Sequence, residues 1–167
     1  MELNQNELNE NAEKVLKSNI EILYKQLCIA VDEYVQVGCY MGEFRYINAY
    51  LSATLNAIVS YVERLIQIGR AEETEVVEAL KFVNNLQKHN PALVRMSRSM
   101  GGIEFPVCFG EDGYEFLEVS VIWDECIGLR TKKQSQKNCY EKIFQQRPII
   151  DTLRPIVEKL LSEGRIV

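Results

Sequence analysis

The sequence predicts a mainly α-helical domain, an antiparallel helical bundle with a small β-hairpin inserted before the C-terminal helix. Three observations carry this expectation. Apolar residues recur at three- and four-residue spacing through the N-terminal half and again near the C-terminus. Between those stretches the pattern changes to alternation around a Gly-Glu-Asp-Gly segment at 110–113. The chain has 167 residues, 47% of them hydrophobic, which is about one domain's length, and no repeat, low-complexity tract or linker divides it.

The first helix is expected over residues 7–37, where Leu16, Ile20, Leu23, Leu27, Val31 and Tyr34 share one face, and Gly38 and Gly42 mark a break after it. A second is expected over 44–68. Its stripe of Ile47, Leu51, Leu55, Ile58, Val62 and Leu65 adjoins a second one of Tyr46, Tyr50, Ala53, Ala57 and Tyr61. So broad an apolar arc suits a central helix with several neighbours, and the tyrosines read as core or as a dimer interface. Gly69 fits the C-terminal cap.

A third helix is expected over 72–89, with Glu72 and Glu73 favouring its first turn through the helix dipole. It would bury Val76, Val77, Leu80, Val83 and Leu86, leaving Lys81, Asn85, Lys88 and His89 on the opposite face and Asn84 near the boundary. Pro91 ends it just past the histidine.

A polar stretch with Arg95 and Arg98 follows. Ile103, Phe105 and Val107, then Tyr114 and Phe116, then Val119, Val121 and Trp123 read as a hairpin whose first strand Pro106 confines to an edge. Residues 131–138, TKKQSQKN, read as a solvated connection. A last helix over 148–162 turns Ile149, Leu153, Ile156, Val157, Leu160 and Leu161 inward, with a bend expected at Pro155. Trp123 is expected in the core.

Nineteen basic against twenty-four acidic side chains give a net charge of −5, so the overall field repels phosphate backbones and any nucleic-acid contact has to be local; DNA binding is not expected. The five cysteines, Cys28, Cys39, Cys108, Cys126 and Cys139, form no CxxC pair, which favours reduced thiols in a cytoplasmic protein over a zinc site or disulfide framework. The polar, acidic N-terminus lacks the form of a signal peptide, and no apolar run approaches the roughly 18 residues of a membrane span. No multi-histidine metal site is possible with His89 as the one histidine, no P-loop or EF-hand pattern is present, and no cofactor is expected. A cysteine nucleophile would need His89 beside it in space.

Long helices, then VNNLQKHNP at 83–91 closing one of them, then a hairpin ending in Trp123, then a final helix opening on RPIIDTLRP at 147–155, together resemble the HEPN superfamily. The resemblance implies a helical fold, a homodimer and, as in many members, a metal-independent ribonuclease with an arginine, four to six further residues and then a histidine. It also implies a bacterial defence or toxin–antitoxin setting. On that pattern the family histidine falls on His89 and the polar residue after the arginine on Asn85, while the arginine position holds Asn84. Asparagine donates hydrogen bonds but carries no charge, so it cannot make the bidentate, charge-assisted contact of a guanidinium to a scissile phosphate. Lys81 and Lys88 offer point charges on the same polar face.

Three readings of His89 stay open: a cap at a helix C-terminus, a ligand contact, or the proton-transfer group of a nuclease. Asn84, Asn85, Lys88 and Lys81 are candidate ligand-binding residues, or a solvated helix surface. The preferred expectation is a catalytically degenerate HEPN-like protein acting by binding or regulation, on RNA, a nucleotide or a protein partner. The alternatives are an endoribonuclease built on His89 and a structural subunit of a larger complex.

Overall fold

In a computed structural model, residues 5–36, 41–89, 94–99, 118–125 and 133–166 are described. The elements are α1 (Gln5–Gln36), α2 (Met41–Gln67), α3 (Glu75–His89), β1 (Val94–Ser99), β2 (Glu118–Trp123), α4 (Gln134–Ile143) and α5 (Ile149–Glu163). The protein is mainly helical. α1 packs along α2, α2 on α3, α3 on α4, and α5 closes against α1.

The expected stripe of α2, from Ile47 to Leu65, is buried throughout, which makes this helix the centre of the bundle. Ile20, Leu27, Val31 and Tyr34 of α1 meet it, with Leu16 at the margin. Of the tyrosine stripe, Tyr61 is buried, Tyr50 half-buried and Tyr46 exposed, with the Arg45 guanidinium 5.1 Å from its ring centre. α2 ends at Gly69 in the left-handed region, φ 70°: its N–H donates to the Ile66 carbonyl at 3.0 Å and that of Arg70 to the Leu65 carbonyl at 2.8 Å. These two bonds satisfy carbonyls that the helix end would leave orphaned.

The start of α3 differs from expectation. The helix begins at Glu75, because Thr74 caps it: the Val77 N–H donates to Thr74 Oγ1 at 3.4 Å and the Glu78 N–H to the Thr74 carbonyl at 2.9 Å. Glu72 and Glu73 therefore precede the helix, and Glu75 and Glu78 stand in its first turn. α3 also buries more than one stripe. Ala79 and Phe82 face α4, with the Phe82 and Tyr140 rings 5.4 Å apart, while Val77, Leu80 and Val83 join the core.

α4 takes up residues 134–138 of the solvated connection expected over 131–138, of which 131 and 132 lie outside the described residues. Its sequence is hydrophilic except for Cys139, Tyr140 and Ile143, but Gln136 and Tyr140 are buried, and Phe144 just past its end is fully buried. The expected strand around Ile103 to Val107 and the 110–113 turn lie outside the described residues. β2 pairs antiparallel with β1, in the register Val94 to Trp123 and Ser99 to Glu118, so the polar stretch carrying Arg95 and Arg98 is a strand.

Trp123 is a hub of the core, as expected. It is fully buried, its indole N–H donates to Thr152 Oγ1 at 2.7 Å, and its ring lies 5.2 Å from Phe144. α5 runs through the exposed Pro155 and buries Ile149, Leu153, Ile156, Val157 and Leu160, with Leu161 at the margin. No helix among the described residues is long and apolar enough to cross a membrane.

Candidate functional site

The polar face of α3 opens on a cleft of about 210 Å³ shared with α2 and the residue before α4. From α3 come Lys81, Asn84, Asn85 and Lys88, from α2 Asn56, Ser60 and Glu63, and Lys133 stands at the entry to α4. Four of the five residues singled out in the sequence are thus brought together. The fifth, His89, does not line the cleft: it stands exposed as the last residue of α3, one helical turn past Asn85.

Each side chain has its position for a local reason. Lys81, Asn85 and Lys88 recur at spacings of four and three, so a single helix face presents them. Asn84 lies toward the core side of that face and is only 5% exposed, the most buried polar residue of the cleft. Its amide has no hydrogen-bond partner among the described residues, although it lines the opening. At the opening such an amide is reached by water, and a ligand with a matching donor or acceptor can take the water's place.

The neighbouring polar side chains of α3 are held by the protein, although Gln87 Oε1, like Thr54 Oγ1 on α2, is buried without a partner among the described residues. Gln87, also buried, donates from its amide to the Asn48 backbone and side-chain oxygens, both at 3.3 Å, which pins the end of α3 to α2. Lys81 Nζ donates to both carboxylate oxygens of Glu73, at 2.7 and 2.9 Å, while its stem lines the cleft. Lys81, Lys88 and Lys133 stand against the carboxylates of Glu63 in the lining and of Glu73 beside it, a small local excess of positive charge in a chain of net charge −5.

Asn56, Ser60 and Glu63 escaped the sequence reading. They recur at spacings of four and three, a polar strip beside the apolar stripe of α2. Lys133 lies in the segment whose composition predicts a solvated connection.

Other chemistries find little footing. Burial first, then the hydrogen bond to Glu78, pushes the Cys139 thiol up, and burial pushes the Cys28 thiol up; both are half-buried free thiols outside the cleft. An activated nucleophile needs the opposite shift. Among the described residues no three His, Cys, Asp or Glu side chains gather as a metal site would need.

No protein-family model matches the chain, and no curated protein or solved structure matches it.

Proposed function

We propose that this chain is a HEPN-like binding protein without nuclease activity, whose α2–α3 cleft takes a phosphate-bearing ligand, RNA or a nucleotide. The observation that carries the reading is the Asn84 amide, buried, unpartnered among the described residues and facing the cleft, with Lys81 and Lys88 beside it. An asparagine there hydrogen-bonds a phosphate or a base edge, and the lysines supply point charges without the planar fork that stabilises a transition state. The exposed place of His89, outside the lining, supports binding over cleavage, and it suits the favourable interaction of a histidine with the end of a helix. The pairing of two chains and the defence or toxin–antitoxin setting belong to the same proposal and rest on the HEPN resemblance.

The test is incubation of the protein and its His89→Ala variant with labelled single-stranded RNA in EDTA, following anisotropy and cleavage together. Binding of intact RNA by both, weakening with added salt, is the expected result. Cleavage by the parent that His89→Ala abolishes without unfolding would establish the endoribonuclease instead. Absence of binding, repeated with a nucleotide probe, would overturn the reading, and stable co-purification with another protein would then favour the structural subunit.

A further inference from the structure

α1 carries a row of large apolar side chains on its outward face. Val15, Ile22 and Ile29 are 59%, 56% and 43% exposed, and they recur at intervals of seven. A heptad advances about 10.5 Å along a helix and drifts only about 20° around it, so the three form a nearly straight ridge. Among the described residues no side chain covers it: the inward face of α1 is the one built from Ile20, Leu27, Val31 and Tyr34.

The flanks of the ridge say what covers it. On one side stand four exposed charges in the order Lys14, Glu21, Lys25, Asp32; on the other stand Asn19, Gln26 and Glu33. The order plus, minus, plus, minus reverses to its complement when read from the other end. An antiparallel second copy therefore sets Lys14 opposite Asp32 and Glu21 opposite Lys25, each pair twice. Both pairs share residue 23 as their midpoint, while Val15 and Ile29 are centred on Ile22, one residue or about 1.5 Å away. One two-fold axis thus serves the apolar row and the charges together. A parallel copy would turn the charged flank of one helix toward the other flank of its partner, with Lys14 near Asn19 and Glu21 near Gln26, and no charge would be matched.

We propose that the outward face of α1 is the surface through which two copies of this chain pair, antiparallel, about a two-fold axis near Ile22. The proposal names the surface of the pairing put forward above and rests on that pairing, not on the ligand of the cleft. The seam is one helix wide, so the dimer dissociates on dilution.

Sedimentation equilibrium of the full chain over a concentration series tests it, with circular dichroism as the check on folding. The expected results are a reversible dimer for the parent, a monomer of unchanged helicity for Ile22→Glu, and a dissociation constant raised about tenfold by Glu21→Lys or by Lys25→Glu alone. The double variant Glu21→Lys with Lys25→Glu restores the parent value, because the complement is rebuilt across the axis. A dimer that survives Ile22→Glu overturns this surface and leaves the pairing standing. A double variant as weak as the single ones overturns the antiparallel arrangement. A parent chain that is monomeric throughout overturns both the surface and the pairing, while RNA anisotropy on the same samples reports the cleft independently.

Discussion

Two polar clusters share α2, one with α1 and one with α3, and are built to opposite rules. Near the C-terminal ends of α2 and α5 every group is answered: the buried Tyr61 hydroxyl donates to Glu13 Oε1 at 2.9 Å, and Arg70 Nη1 donates to Glu13 Oε2 at 2.6 Å. Lys17 stands 3.5 Å from the same carboxylate. In the α2–α3 cleft, Asn84 is as deeply placed and its amide finds no partner among the described residues. A cluster that satisfies itself stabilises the fold, whereas one left incomplete is complementary to something outside the protein. Substitution should therefore cost stability at the first cluster and affinity at the second.

The largest stability loss is expected at Glu13. Glu13→Ala removes the acceptor of a buried hydroxyl and of a guanidinium together, and should lower the unfolding free energy by about 2–3 kcal/mol in urea titrations. A loss below about 0.5 kcal/mol would mean that water replaces the carboxylate and that the cluster is not structural. Next comes Gly164, whose φ of 63° caps α5, its N–H donating to the Leu160 carbonyl at 3.1 Å. A Cβ there would lie 3.0 Å from Arg70 Nη2 and 3.3 Å from Glu13 Oε1. Gly164→Ala should cost roughly 1–2 kcal/mol, from the left-handed backbone and from displacing Arg70. A melting temperature equal to the parent's would exclude both causes.

The same cluster has a pH signature. The hydrogen bond from Arg70, followed by that from Tyr61, holds the Glu13 carboxyl below the ordinary carboxylate range against the opposing effect of burial. The unfolded chain then takes up this proton first as pH falls. The contribution of Glu13 is complete above the ordinary carboxylate pKa and is lost as pH falls through the lower, folded value. The stability gap between the parent and Glu13→Gln should accordingly be widest near neutrality and close in acid; a gap that stays constant would contradict the shift.

How much of this was legible in the sequence follows the same division. Periodicity found α1, α2, α3 and α5 because each buries a stripe of Leu, Ile and Val whose signal outweighs everything else on the helix. α4 is hidden in the sequence because its anchors are Tyr140 and Phe144, four apart and set among Gln, Lys and Asn, so that the charge and polarity of 131–138 mask them. The α3 face was legible as far as one helix goes: Lys81, Asn85 and Lys88 share it. Its depth was not, since Asn84 is buried on the side of α3 that lies toward α2, and no property of its own helix announces that. The place of His89 outside the cleft is likewise a product of packing. Asn56, Ser60 and Glu63 become a site only opposite α3, and pairing two polar strips on different helices requires knowing that the helices are neighbours.

Asn84→Leu tests the second cluster directly. The side chains share the same branched skeleton of four heavy atoms, the cleft leaves room for the bulkier methyls, and an amide without a protein partner contributes no hydrogen bond to lose, so stability should change by less than about 0.5 kcal/mol. Affinity for single-stranded RNA should fall about fivefold, the worth of one ligand hydrogen bond. A destabilisation like that of Glu13→Ala, with RNA binding intact, would place Asn84 among the structural groups and remove the distinction between the two clusters.

The smallest effect on stability is expected where the clusters' logics meet, at Lys81. Its ammonium is held by Glu73, whose side chain is 45% exposed, while its stem lines the cleft. A pair in that setting contributes about 0–1 kcal/mol, since solvent screens it and two long side chains must be ordered to form it. Glu73→Ala should therefore leave the melting temperature nearly unchanged. It should at the same time strengthen RNA binding and steepen its dependence on salt, because a lysine no longer neutralised beside the cleft releases one more counterion when a phosphate arrives. Weaker binding in this variant would mean that Glu73 positions Lys81 for the ligand, and would turn the ion pair from a competitor of the ligand into part of its site.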